Sequence, residues 1–480
     1  MLQAMLSQAA QAASHIFGYQ GLRPYQAKVL GEVLSGRDCM AILPTGSGKS
    51  LCYGLPAHLR PGLVLVISPL IALMRDQVRR FQEVGIACDW LDSHQTPGEK
   101  DGVMARVSGG QTKILLISPE RLAREDFRER LRQVTIQLVA VDEAHCISQW
   151  GGHFRPDYRL LGQYLAPLGP TQKIALTATA TDKVRKDIAE ILHLQEPALV
   201  TGPLIRDNLK TKIIQSKNIE GQFQALAAAL SRETGPGMIY APTRKLAEEV
   251  HRMLVAGGKN CALYHAGLPP GLRQRAQQEF LAGETEMVVA TNAFGLGVDK
   301  PNIRFVHHMG LPGSLEQYVQ EIGRAGRDGG VSRCYLFYNS RDYHIQKFMI
   351  EKSYPDLAHL KTTMDLVRRH QGPYGVTEVR ALELMRGATG LADRDTLQIL
   401  DFLYRESLLA RMRPSSPVAF SGENPTVIFE GRAQEAQVFR TYPERKRFDL
   451  AKLDVMRSYV QADEKLRGQM IENYFDLKTS

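Results

Sequence analysis

The apolar positions of the first 200 residues fall into short runs, separated by longer stretches with helical spacing. Each run ends in small, polar or acidic residues, and the runs are Cys39–Leu43, Leu63–Ser68, Lys113–Ser118, Leu138–Val141 and Ile174–Thr177. Continuous Val, Ile and Leu runs between helices are typical of parallel strands that are buried on both faces. The pattern therefore predicts a parallel sheet with ligand chemistry at the carboxyl ends of its strands.

The same alternation of strands and helices returns in a second segment of the chain. Its predicted strands are Gly237–Tyr240, Cys261–Tyr264, Met287–Thr291, Phe305–Met309 and Arg333–Phe337. Between the two sets, Gly202-Pro203 interrupts the pattern and predicts a linker at Leu199–Asn208. We therefore predict an α/β protein with two tandem parallel-sheet domains, at residues 1–203 and 204–343.

The C-terminal region, residues 344–480, is predicted to be mainly helical. Helices at Thr377–Met385 and Asp393–Leu409, followed by strands at Val418–Phe420 and Val427–Phe429, resemble a winged helix within about residues 357–430. A plain helical bundle is the alternative interpretation. A further helical module is predicted at about residues 440–476.

The amino-acid composition gives the chain a net positive charge and excludes some classes of protein. The chain carries a formal net charge of +9, which indicates a polyanionic partner only weakly. We see neither a signal peptide nor an apolar run approaching the roughly 18 residues of a membrane span, so we expect a cytoplasmic protein. The six cysteines form no C-x-x-C pair, which argues against a disulfide framework or a zinc finger.

The segment Pro44–Ser50 has the pattern of a phosphate-binding loop between a strand and a helix. Its glycines let backbone N–H groups surround phosphates, while Lys49 would reach the β- and γ-phosphates and the Ser50 hydroxyl would hold Mg²⁺. The nucleotide-contacting residues predicted here are Thr45, Gly46, Ser47, Gly48, Lys49 and Ser50. Because the second domain lacks such a loop, ATP is expected to bind between the domains.

Two adjacent carboxylates, Asp142 and Glu143, follow the predicted strand Leu138–Val141. A carboxylate at a buried strand end can complete a Mg²⁺ shell, and its neighbour can orient the attacking water. We predict that Asp142 binds the metal and that Glu143 is the general base. The alternative is that the two acids simply begin a helix. The presence of Lys49 in a phosphate-binding loop disfavours this alternative.

Arg324 and Arg327 lie three residues apart and would share one face of a helix. From the second domain they could reach the γ-phosphate as arginine fingers. A solvated basic helix face is the alternative, which the glycines at 323 and 326 disfavour.

Residues 14–343 together resemble superfamily 2 helicases, most closely the RecQ family of DNA helicases, so each domain is expected to be RecA-like. Phe17-Gly18-Tyr19 with Leu22–Gln26 is similar to the adenine-recognition motif of that family. The resemblance implies that Tyr19 stacks on the base and that Arg23 and Gln26 contact the nucleotide. It also implies nucleotide contacts at Asp299 and Gln320.

Ser148–Tyr158 resembles the aromatic-rich loop that distinguishes RecQ proteins from RNA-directed relatives. The resemblance implies DNA contacts by Trp150, Phe154, Arg155, Ser68 and Asn292. Aromatic rings can stack on bases, and an adjacent arginine favours phosphate. The alternative interpretation is that the Trp and Phe side chains are buried in the loop and do not contact DNA. The family normally has His then Asp where this chain has Gly152 and His153, which leaves the strength of coupling between DNA and ATP open.

The resemblance implies a Mg²⁺- and ATP-dependent helicase that unwinds duplex DNA by 3′→5′ translocation on single strands, in recombination and repair. We expect a monomer that acts on single-stranded and partly duplex DNA in the nucleoid. Arg445–Phe475 is similar to the zinc-binding module of the family without its cysteines, so no zinc site is expected. The rival hypotheses are an RNA helicase and a DNA-binding or strand-annealing scaffold with a vestigial ATPase.

Overall fold

The computed structural model describes residues 2–69, 71–92, 94–148, 150, 156–292, 294, 300–370, 376–406, 408–412, 426–429 and 435–475. By its internal contacts the chain divides into two compact units. Residues 1–342 together with 455–480 form the first unit, and residues 343–454 form the second.

The first sheet of the larger unit has seven strands, and every neighbouring pair is parallel. Its strands are β1 Cys39–Ile42, β2 Leu63–Ile67, β3 Cys88–Leu91, β4 Ile114–Ile117, β5 Ile136–Val141, β6 Lys173–Thr177 and β7 Ala198–Thr201, in the order β3-β4-β2-β5-β6-β1-β7. Helices flank these strands: α1 Leu2–His15, α2 Pro24–Leu34, α3 Leu51–Leu59, α4 Ile71–Glu83, α5 Pro97–Ser108, α6 Pro119–Leu122, α7 Glu125–Leu131, α8 Pro156–Arg159, α9 Leu161–Leu165 and α10 Asp182–Ile191.

Strand β2 shows why this sheet forms its core on both faces. Leu65 and Ile67 belong to one buried cluster, whereas Val64 and Val66 belong to the cluster on the opposite face. Successive side chains of a strand point to opposite faces, so an uninterrupted apolar run places apolar groups on both. The five predicted strands of this half are confirmed to within one or two residues.

Two edge strands of the first sheet were not predicted. Strand β3 contains a charged residue, Asp89, and strand β7 exposes Leu199 and Thr201, because an edge strand has a neighbour on one side only. The predicted linker Leu199–Asn208 was wrong at its start, since residues 199–201 pair in parallel with β1. The connection to the second sheet runs from residue 202 to residue 208.

The second sheet has six parallel strands in the order β10-β11-β9-β12-β13-β8. They are β8 Leu209–Gln215, β9 Gly237–Tyr240, β10 Cys261–Tyr264, β11 Met287–Ala290, β12 Phe305–Met309 and β13 Ser332–Tyr338. Its helices are α11 Ile219–Leu230, α12 Arg244–Ala256, α13 Pro270–Ala282, α14 Leu315–Ile322 and α15 Ser340–Ser353. The five strands predicted here are confirmed, and β8, an edge strand with exposed Lys210 and Lys212, is additional.

The smaller unit has the element order of a winged helix. It contains α16 Leu357–His370, β14 Val376–Thr377, α17 Glu378–Thr389, α18 Asp393–Arg405, β15 Leu409–Met412 and β16 Thr426–Phe429, with an antiparallel sheet in the order β14-β16-β15. A plain helical bundle is excluded by this sheet. Helix α18 ends four residues before its predicted end, and the predicted strand Val418–Phe420 lies outside the described residues.

The last two helices are α19 Glu435–Gln461 and α20 Glu464–Tyr474. Within the larger unit, contacts to α14 and α10 hold the end of α20: Tyr474 Oη donates to Glu316 Oε1 at 2.8 Å, and Arg185 Nη1 donates to the Phe475 carbonyl at 2.9 Å. Among the described residues, no group of three His, Cys, Asp or Glu side chains could hold a metal ion, and no helix is long and apolar enough to cross a membrane. That the C-terminal module folds without zinc stays a prediction.

Candidate functional site

The predicted phosphate loop joins β1 to α3, and its glycines adopt backbone angles that side chains disfavour. Gly46 has φ +74° and Gly48 has φ +77°, both in the left-handed region. Helix α3 begins directly after the loop at Leu51, so its N-terminal end faces any anion that the loop holds. Lys49 Nζ donates to the Leu43 carbonyl at 3.3 Å, which folds the lysine back across the loop.

The upstream motif that resembles adenine recognition contacts this loop directly. Gln26 is buried, and its Nε2 donates to the Ser47 carbonyl at 2.8 Å while its Oε1 accepts from the Arg23 backbone N–H at 2.8 Å. Tyr19 is half-exposed and lies beside Phe17 with the rings nearly parallel, at a centroid distance of 6.4 Å. An exposed ring at the rim and a buried amide below it could hold a planar base.

Asp142 and Glu143 lie at the carboxyl end of β5, next to the phosphate loop. Burial, and then the neighbouring Glu143, raise the pKa of Asp142 to about 6, while Lys49 acts in the opposite direction. Glu143 has φ +48°, a strained conformation for a residue with a side chain, and its backbone N–H donates to Asp142 Oδ1 at 3.0 Å.

A polar network connects Glu143 to the end of strand β6. His145 Nδ1 lies 3.3 Å from Glu143 Oε2 and 2.9 Å from Thr177 Oγ1, and the Thr177 hydroxyl also lies 3.0 Å from the Thr179 carbonyl. His145 and Thr179 line a small cavity of about 110 Å³ that also touches residues of the second sheet. The network therefore runs from the carboxylate to the boundary with the second sheet.

The two arginines lie in turns that follow α14, and not on a helix as the spacing predicted. Helix α14 ends at Ile322, because Gly323 caps it and Gly326 takes φ +56°. Arg324 is buried and donates to the hydroxyl of Tyr240. Arg327 packs against the phosphate loop so closely that a Cβ on Gly46 would lie 2.5 Å from Arg327 Cγ.

One cleft of about 640 Å³ brings most of the predicted nucleotide and catalytic residues together. It is lined by Tyr19, Arg23, Gln26, Thr45, Gly46, Ser47, Gly48, Lys49, Ser50, Asp142, Glu143, Gln320, Arg324 and Arg327. The glycine cradle fits a polyphosphate, and the Ser50 hydroxyl with the Asp142 carboxylate supplies the oxygen ligands that Mg²⁺ prefers. Asp299, the remaining predicted nucleotide contact, lies outside the described residues.

The predicted DNA contacts are less completely described. Phe154 and Arg155 lie outside the described residues, as do Gly152 and His153. Trp150 is partly buried against the core of the first sheet, and Lys183 Nζ on α10 lies 3.1 Å from the centroid of its indole ring. The Trp150 backbone N–H donates to Ser148 Oγ at 3.2 Å, and the Ser148 hydroxyl donates to Asp187 Oδ2 at 2.5 Å. These contacts anchor the start of the loop to α10.

The other two predicted DNA contacts differ in their accessibility. Ser68 is fully buried at the end of β2, so its hydroxyl cannot reach a nucleic acid in this conformation. Asn292 is exposed and lines the small cavity together with His145 and Gln317. Contact of either residue with DNA stays a prediction.

Three further residues support the site and were not assigned a role from the sequence. The Tyr158 hydroxyl donates to the Asp142 carbonyl at 3.1 Å, which connects the end of the aromatic-rich loop to the carboxylates. Gln77 donates to the Asp142 carboxylate and accepts from the Tyr53 hydroxyl at 2.9 Å. Arg206 donates to the turn that carries the arginines. The sequence signal for these residues was weak: Arg206 is a charged residue in the Gly/Pro-interrupted connection, and Tyr158 is the last residue of the aromatic-rich loop.

Comparisons with known proteins agree with this geometry. The DEAD/DEAH box helicase family matches residues 23–188, and the helicase conserved C-terminal domain matches residues 221–329. The ATP-dependent DNA helicase RecQ of Haemophilus influenzae is 40% identical over 338 residues, which are 70% of this chain and 54% of that protein. The chain therefore spans about half the length of this relative.

Two other similarities concern a shorter relative and a solved structure. The probable ATP-dependent DNA helicase RecS of Bacillus subtilis is 38% identical over 343 residues, which cover 71% of this chain and 69% of the relative. The Mycobacterium smegmatis helicase Lhr, solved bound to ssDNA and AMP-PNP, superimposes with a TM-score of 0.56 at 19% identity, over 93% of this chain and 61% of that one. At this identity the structural match indicates the fold alone.

Proposed function

Because the chain belongs to the RecQ family of superfamily 2 DNA helicases, we propose that it is an ATP- and Mg²⁺-dependent DNA helicase. It hydrolyses ATP between two RecA-like domains, residues 1–203 and 204–343, and translocates 3′→5′ on single-stranded DNA to unwind duplexes. Its setting is recombination and repair. The direction and the setting come from the family resemblance.

The predicted catalytic and nucleotide-contacting residues of the cleft have distinct roles in hydrolysis. Lys49 holds the β- and γ-phosphates, and Ser50 and Asp142 would hold Mg²⁺, which when bound would supply positive charge against the phosphates. Glu143 orients the water that attacks the γ-phosphorus and accepts its proton, as the bond to the β-phosphate oxygen breaks and ADP leaves. Arg324 and Arg327 stabilise the charge on the transferring group. Tyr19, Arg23, Gln26 and Gln320 orient the nucleotide.

The observation that carries this proposal is the contact of Arg327 with the phosphate loop. Arg327 lies in the turn after α14, between strands β12 and β13 of the second sheet. Gly46 lies in the loop after β1 of the first sheet. A cation from one domain over the phosphate loop of the other makes hydrolysis depend on how the domains close. A cleft that opens and closes with each ATP can move two DNA-gripping domains along a strand.

Coupling to DNA is proposed to run through the anchored start of the aromatic-rich loop. Trp150 is tied to α10 through Lys183, and Tyr158 is hydrogen-bonded to the carbonyl of Asp142. A strand that stacks on Trp150 would therefore act on a segment whose two ends contact α10 and the carboxylate pair. The Glu143–His145–Thr177 network is a second route toward the second domain.

The first test is steady-state ATP hydrolysis without nucleic acid, with single-stranded DNA and with single-stranded RNA. Stimulation by DNA alone is expected. Stimulation mainly by RNA would move the protein to the related RNA helicases, and no stimulation by either would favour the scaffold with a vestigial ATPase. Displacement of a labelled strand from duplexes with a 3′ or a 5′ single-stranded tail tests direction, and only the 3′-tailed duplex should unwind.

Replacing Trp150 by alanine should remove most of the stimulation by DNA and leave basal hydrolysis nearly unchanged. A base stacked on an aromatic ring contributes about 1–3 kcal/mol, and Trp150 does not line the nucleotide cleft. The measurement is ATP turnover across a titration of single-stranded DNA. Trp90→Phe is a matched control, because Trp90 lies on edge strand β3. Equal loss of basal and stimulated turnover in Trp150→Ala would instead assign this residue a structural role.

The protein is proposed to act as a monomer in the cytoplasm, on nucleoid DNA. The larger unit holds both phosphate-contacting elements, Lys49 and the two arginines, in a single chain. Light scattering during gel filtration should therefore give the mass of one chain at concentrations where ATP turnover is full. A dimer that carries all of the activity would contradict this expectation.

A further inference from the structure

Arg206 lies in the connection between β7 and β8, outside the nucleotide cleft, and its side chain is 9% exposed. Its guanidinium donates to three carbonyls of the turn that follows α14. Nη2 donates to the Gly323 carbonyl at 2.7 Å and to the Ala325 carbonyl at 2.5 Å, while Nη1 donates to the Gly326 carbonyl at 2.9 Å. These three carbonyls lie within the segment that carries Arg324 and Arg327.

A second side chain of the same connection holds this turn from its other end. Asn208 Nδ2 donates to the carbonyls of Gly326 and Gly330, each at 2.8 Å. Gly326 also donates its backbone N–H to the Ile303 carbonyl at 2.8 Å. A Cβ on Gly326 would lie 2.5 Å from Asn208 Nδ2, so the turn leaves no room for a side chain here. The path of the backbone between the two arginines is thereby fixed from two sides.

The guanidinium is suited to this position for two reasons. The three carbonyls lie in the turn just beyond the C-terminal end of α14, and a cation at this end of a helix interacts favourably with the helix dipole. A planar fork with several N–H groups can satisfy carbonyls that point in different directions, whereas a lysine ammonium is a point charge. Burial, followed by the charge of Arg327, lowers the pKa of Arg206 to about 10, so the group stays charged at neutral pH.

We propose that Arg206 is the positioning residue of the turn that carries Arg324 and Arg327. It holds the backbone on which Arg327 reaches the phosphate loop and Arg324 reaches Tyr240. Because Arg206 belongs to the connection between the two sheets, a movement of that connection also moves the arginines. This inference rests on the proposed function, since the role of the turn is to present cations to the γ-phosphate.

The test compares Arg206→Met and Arg206→Lys with the wild-type chain in DNA-stimulated ATP hydrolysis. Misplacing a catalytic group by about 1 Å can cost about 10²-fold, so Arg206→Met should lower kcat about 10²-fold and leave KM for ATP within about twofold. Arg206→Lys keeps the charge and some hydrogen bonds, and should recover part of kcat. Lys210→Met is the matched control, because this exposed cation lies at the start of β8, just beyond the connection, and donates only to the Asp207 carbonyl among its described contacts.

A mutant cycle against the double variant Arg324→Ala/Arg327→Ala separates positioning from a general loss of structure. If Arg206 acts through the two arginines of the turn, Arg206→Met in this background should lower kcat by no more than about twofold further. A further loss of about 10²-fold in that background would overturn the inference, because independent effects multiply. Single-turnover hydrolysis measures such slow rates, and Arg206→Lys takes the place of Arg206→Met if the latter does not fold.

Failure of the inference and failure of the proposed function give different results in the same assay. A wild-type chain with strong DNA stimulation beside an equally active Arg206→Met would overturn the inference alone. A wild-type chain that hydrolyses no ATP with or without DNA would overturn the proposed function and the inference together.

Discussion

Replacing Arg327 by alanine is expected to lower kcat for DNA-stimulated ATP hydrolysis about 10³-fold, the lower end of the range for an arginine finger. The reason is its position: the side chain packs over Gly46, where the phosphates of a bound nucleotide would lie. An interaction that is made mainly in the transition state lowers kcat and leaves nucleotide affinity largely intact. The rate is measured at saturating ATP and DNA, and affinity by titration with a fluorescent ADP analogue.

Arg252→Ala is the matched control for this variant. Arg252 is an exposed arginine on α12 of the same predicted domain, so the substitution removes the same charge from another place. We expect wild-type turnover for Arg252→Ala, and for Arg327→Lys a kcat between those of wild type and Arg327→Ala, because lysine keeps the charge without the fork. An Arg327→Ala variant with wild-type kcat would exclude this residue from the hydrolytic step.

The second large effect is expected from Glu143→Gln. Removing a general base typically costs 10²–10⁴-fold, and we expect kcat to fall by about 10³-fold. Glutamine has nearly the shape of glutamate and can occupy the same left-handed backbone position, but it cannot accept a proton. Asp142, Lys49 and Ser50 are unchanged, so Mg²⁺ and nucleotide should still bind with affinities close to those of the wild-type chain.

The control for Glu143→Gln is Glu190→Gln, at an exposed position on α10. It makes the same chemical change outside the cleft, and turnover should be unaltered. A single-turnover measurement with preloaded ATP isolates the hydrolytic step from nucleotide exchange. If that rate is unchanged in Glu143→Gln while ATP affinity falls, Glu143 contributes to binding and the general base lies elsewhere.

The sequence predicted the central strands of both sheets and the apolar edge strand β10 well, but missed the other three edge strands. Central parallel strands are apolar on both faces, so an uninterrupted run of Val, Ile and Leu identifies them. Strands β3, β7 and β8 each have one neighbouring strand and one partly solvated side. Because they contain exposed or charged residues, they do not form the continuous apolar runs by which strands were predicted. Because strand β7 was missed, the connection between the sheets was predicted to begin three residues too early.

The features of the candidate site also differ in how well the sequence predicted them. The chemistry of the phosphate loop and of the carboxylate pair is encoded in adjacent residues, so short motifs were sufficient to propose Lys49, Asp142 and Glu143. The helical face predicted for Arg324 and Arg327 was wrong, since Gly323 ends the helix first. A spacing of three residues is compatible with a helix and with successive turns, and only the capping residue distinguishes them.

By itself the sequence determined the fold class, the order of the strands that it identified and the residue types at their ends, because periodicity and short motifs report local conformation and burial. The tertiary structure alone decided which distant groups meet: Arg327 with Gly46, Tyr158 with the Asp142 carbonyl, and Arg206 with the turn after α14. It also decided that Glu143 has a left-handed backbone conformation. Such contacts depend on how whole elements pack against each other, and no local pattern of residues records that packing.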